Sequence, residues 1–279
     1  MNNQPTYLTL IQSLLNSPED EQIAILQNNL ELIDDKFAQY LREWATQTLA
    51  EMESEEATNI IPIFSFSNLI KRLRKWTSRT FAAKKSDEAY KFADNLYSFN
   101  ITISSFTLGS RAANIEIAIA CLEVGLTIFT REAYSEKWGM FQNSLGIKYS
   151  DRIREDRAEN IERAIACYDL ALEVRTRADF PQDWAMTQHN LGLAYSDRIR
   201  EDKAENLERE IACYDLALEV YTRAAFPQDW AMTQHNLATA YSDRIREDKA
   251  ENIEKAIACY ELALLVLTRA AFPQDWATT

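Results

Sequence analysis

Apolar positions along the C-terminal two thirds of the chain recur at helical spacing. Ile161, Ala164, Ile165, Tyr168, Ala171 and Leu172 follow an i, i+3, i+4, i+7 pattern, the stripe by which a helix buries one face. Its small Ala residues permit close helix approach, and Tyr168 fills the space beside them. The preceding segment carries a second stripe, seen one copy later as Trp184, Leu191, Tyr195 and Ile199. The pattern predicts a first helix from about Pro181 to Ile199 and a second from about Ala204 to Thr222. Pro181 suits a first helical position, where its missing N–H is no loss. Asp183 near the start and Arg198 and Arg200 near the end suit the helix dipole.

This two-helix unit is copied. Cys121, Cys167, Cys213 and Cys259 lie 46 residues apart, as do Trp138, Trp184, Trp230 and Trp276, and Tyr149, Tyr195 and Tyr241. Residues 180–225 and 226–271 differ at only 8 of 46 aligned positions. The even cysteine spacing marks a repeat rather than a disulfide framework, and the absence of any Cys-x-x-Cys argues against a zinc site. The mid-helix cysteines are expected to be small buried apolar residues. A single hairpin cannot bury both of its apolar faces, so stacking of neighbouring copies into an α-solenoid is expected.

The chain reads as three regions. Residues 1–56 form amphipathic helical patterns, interrupted at Ser17-Pro18-Glu19-Asp20. Residues 57–85 join an apolar run, Ile60 to Phe66, to a basic stretch in which seven of the residues 71–85 are Lys or Arg. Residues 86–279 hold the repeats: a degenerate capping copy at 86–133, then 134–179, 180–225 and 226–271, and the start of another at 272–279. In the degenerate copy Phe92 stands where Trp is expected. The β-branched run Ile101-Thr102-Ile103 weakens its first helix, while Asn114–Thr130 is a clear second helix. At the other end Phe272 to Thr279 opens a further first helix, so the last stacking face is expected to be open, to another molecule or to more of the same protein.

Asn190-Leu191-Gly192-Leu193-Ala194-Tyr195, with Ala164, Tyr168 and Ala171 at spacings of four and three, resembles the tetratricopeptide repeat. The usual unit has 34 residues. The 46-residue copies resemble the long repeats of the kinesin light chain type and the N-terminal arrays of bacterial, largely cyanobacterial, proteins that carry a CHAT protease domain. The opening stretch Tyr7 to Leu15 with Ile25-Leu26-Gln27 and Glu31 to Asp34 is similar to the small helical segment of those proteins. Ala238 in place of Gly192, and Glu210 in place of Ala164, depart from the pattern. The resemblance implies an all-α, right-handed α-solenoid of antiparallel helix pairs, preceded by a small helical region. It also implies that the first helices line a concave groove, where an Asn just before the Leu holds the backbone of a bound extended peptide. The matching positions are Asn190 and Asn236, with Ser144 in the earlier copy.

Composition narrows the function classes. Hydrophobic residues make up 47%, and Gly and Pro number only 5 and 6, which argues against a disordered chain or a β-sandwich. The net charge of −13 argues against general nucleic-acid binding, which needs a basic face. The start lacks a secretion signal, so a cytoplasmic location is expected. No sequence motif of a hydrolase, metalloprotease or nucleotide-binding loop is present, and a non-catalytic protein with no cofactor is expected.

The candidate site is therefore a partner-binding face on the first helices: Asn143, Met186, Gln188, His189, Asn190, Leu193, Gln234, His235 and Asn236, with Gln142 and Ser144 beside them. A carboxamide suits the task because it both donates and accepts. Met186 and Leu193 add apolar contact. Copying of idle surface residues along with the rest of the repeat is the competing reading. For His189 and His235 a polar role is favoured over a metal site. The recurring Asp-Arg-Ile-Arg-Glu-Asp at 151–156, 197–202 and 243–248 is read as ion pairing between repeats rather than as a binding ladder.

The expected role is a protein-interaction scaffold preferring basic partners. The alternatives are the sensor half of a CHAT-type protease whose catalytic domain lies outside this chain, and self-assembly through the open last repeat. The basic segment 71–85 is suited to lie on an anionic membrane, to dock an acidic partner or to pack on the protein's own acidic repeats, the membrane being the least favoured.

Overall fold

The computed structural model describes residues 6–10, 13, 28, 29, 32, 87–104 and 111–279. Most of the helical region expected at 1–56, and all of the apolar and basic segment 57–85, lie outside the described residues. Those described are helices and connecting turns, with no strand among them. The chain divides into two compact units, residues 1–130 and 131–279.

In the first unit, α1 (Asp87–Ser104) packs on α2 (Arg111–Ile128). Ala93 and Leu96 of α1, and Ile115, Ala118, Ile119, Cys121 and Leu122 of α2, are buried. Tyr90 meets Phe129 edge-on, with ring centroids 5.1 Å apart. The run Ile101-Thr102-Ile103, expected to weaken α1, lies within it. The helical penalty of three β-branched residues is only a few tenths of a kcal/mol each. Ser104 Oγ donates back to the Asn100 carbonyl at 2.6 Å and closes the last turn.

The second unit is the repeat stack. Its helices are α3 (Ser135–Asp151), α4 (Arg157–Leu172), α5 (Pro181–Ser196), α6 (Lys203–Leu218), α7 (Pro227–Asp243), α8 (Lys249–Leu264) and the short α9 (Pro273–Thr278). Within each copy the first helix packs on the second: α3 on α4, α5 on α6, α7 on α8. Between copies α4 meets α5 and α6 meets α7, so α4 and α6 are each shared by two first helices, as in a helical repeat solenoid. Of the predicted stripe Ile161, Ala164, Ile165, Tyr168 and Ala171 are in the core, with Cys167 beside them, and Leu172 is half-buried. Cys121, Cys167 and Cys213 are buried free thiols and Cys259 is half-buried. Burial pushes the Cys213 thiol up to about 12.

Helix ends are set by local chemistry that recurs in every copy. Second helices start on an Asp whose carboxylate accepts from the backbone: Asp156 from Glu159 N–H at 2.8 Å, Asp202 from Glu205 N–H at 3.0 Å, Asp248 from Ala250 and Glu251 N–H. The sequence signal is Asp followed three residues later by Glu, half of a capping box, and it places the start one residue before the predicted Ala204. First helices end sooner than predicted, at Ser196 rather than Ile199. A buried Asn on the following helix takes the chain instead: Asn206 Nδ2 donates to the Arg200 carbonyl at 2.9 Å, as Asn160 does to Arg154 and Asn252 to Arg246. In the same loop Glu155, Glu201 and Glu247 sit in the left-handed region, with φ of 65° to 68°. Ile199, expected on the core stripe, is 64% exposed as a result, and Ile153 and Ile245 match it. Second helices also stop before the predicted Thr222, because Val220 N–H turns to the Ala217 carbonyl in a tighter i+3 bond.

Ion pairs join the copies, as the charge pattern predicts. The Arg198 guanidinium grips both carboxylate oxygens of Glu162 in the preceding copy at 2.8 and 2.7 Å, and Arg244 grips Glu208 in the same way. Arg200 reaches Glu159 and Arg246 reaches Glu205. Arg198 holds the Glu162 carboxyl below its ordinary value. The signature tyrosines serve the same joint: Tyr195 lies between Arg198 and Arg209, and Tyr241 between Arg244 and Lys255.

Candidate functional site

The first helices α3, α5 and α7 carry every predicted site residue, and the structure sorts these residues into two groups. Asn143, Gln188 and Gln234 are buried, as are Gln142 and Ser144. Asn143 stands in the seam between two copies, and the exposure of all five is too small for them to form an open surface. Met186, His189, Asn190, His235 and Asn236 are half-buried, and Leu193 is 42% exposed. The members of the predicted set that keep solvent exposure are thus Met186, Asn190, Leu193 and Asn236, with the edges of the two imidazoles.

A polar chain runs along this face from one copy to the next. Asn190 Nδ2 donates to Asn143 Oδ1 at 3.2 Å, and Asn236 Nδ2 approaches His189 Nε2 at 3.5 Å. Position 143 in one copy is position 189 in the next, so the same step is made twice with different side chains. His189 Nδ1 lies 2.8 Å from Thr233 Oγ1, and His235 Nδ1 lies 3.0 Å from Thr279 Oγ1. Each Thr hydroxyl in turn donates to a carbonyl one turn back, Thr233 to Asp229 and Thr279 to Asp275.

The directions of these bonds assign the tautomer. Because the Thr proton is committed to a carbonyl, His189 Nδ1 must donate to Thr233, and Nε2 is left to accept from Asn236. Burial favours this neutral ring and lowers the His189 pKa to about 4; it lowers that of His235 as well. The rings lie beside the second-helix tyrosines, His189 against Tyr214 at 5.6 Å and His235 against Tyr260 at 5.5 Å. Among the described residues no group of three or more His, Cys, Asp or Glu side chains is arranged to hold a metal.

Threonines 187, 233 and 279 have no place in the predicted site, although they recur with the same 46-residue period as the histidines. Thr187 accepts from the buried Arg175 at 3.2 Å, where the next copy has Tyr221 in place of that Arg. Met232 and Thr239, the equivalents of Met186 and Leu193, are also absent from the predicted set and are both exposed. Their signal is positional identity with residues already singled out.

The geometry of α7 and α8, two packed helices joined by a loop, coincides with a family match. Residues 230–264 match the tetratricopeptide repeat family. This stretch runs from Trp230 on the first helix to Leu264 at the end of the second, which is nearly the whole hairpin. The copy before it is identical to this hairpin in sequence at all but 8 of 46 positions, and it packs in the same way. Comparisons with curated proteins and with solved structures return no match. Tetratricopeptide repeats commonly mediate protein–protein interaction. No helix among the described residues is long and apolar enough to cross a membrane.

Proposed function

We propose that this chain is a non-catalytic protein-interaction scaffold whose first-helix face binds an extended or helical segment of a partner. The observation that carries the reading is the hydrogen-bonded row of Asn190 and Asn236 beside exposed Met232 and Leu193. With each Nδ2 turned into the seam, the carboxamide oxygens are the groups left to meet a partner's N–H donors, while the apolar residues supply contact area. The net charge of −13 supports a preference for basic segments. Neither nucleic-acid nor membrane binding is part of this reading.

The test is crosslinking and capture of partners from the native cell with the full chain and with the double variant Asn190→Ala, Asn236→Ala. Loss of specific partners, with the helical circular dichroism unchanged, is the expected result. An unchanged partner set rules out the amide row as the contact.

A second reading, self-association, is favoured by the outer face of α8. Ile253 and Ile257 are exposed there, whereas their equivalents Leu207 and Ile211 are buried under α7. Glu254 stands where Glu162 and Glu208 each take a bidentate Arg from the next copy. Such a face suits a further first helix of the same kind, from this chain's own continuation or from a second copy, and head-to-tail addition of copies would build open filaments unless the rotation closes. Scattering that rises with concentration, and falls when Ile257 is replaced by Glu, would favour this reading over a monomeric scaffold.

A further inference from the structure

The three regular copies differ at one position in a way that packing alone does not explain. Position 210 on the buried stripe of α6 is Glu, whereas the equivalent residues are Ala118, Ala164 and Ala256, all buried. Glu210 is only 3% exposed, and no hydrogen bond reaches its buried Oε2 among the described residues. Next to it on α6, Ile211 and Tyr214 pack on Leu237 and Ala240 of α7.

The surroundings of this carboxyl offer hydroxyls and like charges. Ser196 at the end of α5 and Tyr214 on α6 are the polar groups beside it, and Asp197 after α5 and Asp243 at the end of α7 are the charges acting on it. In the first copy, where Ala164 stands, the Tyr168 hydroxyl lies beside Ser150. In the second copy Glu210 stands beside both members of the equivalent pair, Ser196 and the buried Tyr214 hydroxyl. The arrangement holds a neutral acid well, since a carboxylic O–H can donate. It holds a carboxylate badly, because ionisation puts charge into a seam already flanked by two aspartates.

We propose that the seam between α6 and α7 is a pH-sensitive joint, closed when the Glu210 carboxyl carries its proton and loosened when it ionises. Burial raises the pKa of this group to about 7, against an ordinary 4.5. A raised folded-state value means that the folded seam binds more protons than the opened one. Its stabilising contribution is therefore complete below about pH 4.5, declines through the interval to pH 7 and is gone above it. The α4–α5 seam, with Ala164, lacks the device and serves as an internal control. The joint is a property of the stack and holds whatever the first-helix face binds.

Amide hydrogen exchange of the full chain between pH 5 and 8, corrected for intrinsic exchange rates, tests it. The variants are Glu210→Ala, the residue of the sister copies, and Glu210→Gln, a neutral isostere. The reading is the protection of α6 and α7 in each variant relative to wild type, which cancels the opposite, acid-side contribution of His189. That ratio is expected to grow by on the order of a hundredfold from pH 5 to pH 8, with the α4–α5 seam unaffected. A ratio that stays constant with pH, or one that grows equally in the α4–α5 seam, overturns the proposal. Either variant alone suffices, so misfolding of one leaves the test intact.

Discussion

Replacing Tyr168 by Ala is expected to lower the stability of the repeat unit by about 3–5 kcal/mol, read as a fall in the urea midpoint. The ring is fully buried and lies against the backbone of α3 at Gly146. A Cβ at Gly146 would come within 2.6 Å of the Tyr168 ring, so that glycine is there to admit it. Once the ring is removed, the facing glycine has no side chain to move into the space, and the cavity stays open. Ser150 also loses its hydroxyl partner. The equivalent change Tyr260→Ala is the control. Tyr260 is only half-buried and bonds Thr239 at 2.9 Å near the surface, so the cost there is expected to be below about 1 kcal/mol. Equal losses at the two tyrosines would contradict the role given to the glycine.

The second large effect concerns the same lock from the other side. Gly192→Ala is expected to cost about 1–3 kcal/mol, because its Cβ would stand 2.6 Å from the Tyr214 ring. The third copy already carries Ala at this position. There Tyr260 is half-buried and its hydroxyl lies 2.9 Å from that of Thr239. In the second copy the residue at that place is Leu193, which has no hydroxyl. A double variant Gly192→Ala, Leu193→Thr is therefore expected to recover part of the loss, a coupling that a double-mutant cycle measures directly. Additive costs would mean that the threonine has no part in holding the displaced ring.

These two locks also mark how much of the fold a single sequence carries. The repeat, its two helices, the buried cysteines and the inter-repeat ion pairs come from period and pattern, since each is written at the same place in every copy. Helix ends differ from the pattern where a long-range partner decides them. Ile199 fits a helical stripe by spacing, yet Asn206 on the next helix draws the chain out of α5 before that residue is reached. Local pattern contains nothing of that bond. The Asp at the start of each second helix is, by contrast, a local signal that the sequence does contain.

The candidate face is legible in part for a related reason. Gln188, Asn190 and Leu193 all lie on one helix, but which of them faces a neighbouring copy depends on the rotation of one hairpin against the next. That rotation is a property of the stack. It buries Gln188 and leaves Leu193 open. The threonine–histidine ladder belongs to the same class: Thr233 and His189 are 44 residues apart and meet only across a seam.

Partners are expected to touch the first-helix face rather than the second. A photoreactive amino acid placed at exposed Leu193 on α5, and in a parallel chain at exposed Ala212 on α6, compares the two faces in the native cell. Irradiation is predicted to join a defined partner to position 193 and not to position 212, with the adduct lost when Asn190 and Asn236 are both Ala. Capture of the same partner through position 212, or an adduct at 193 that is indifferent to the two asparagines, would contradict it.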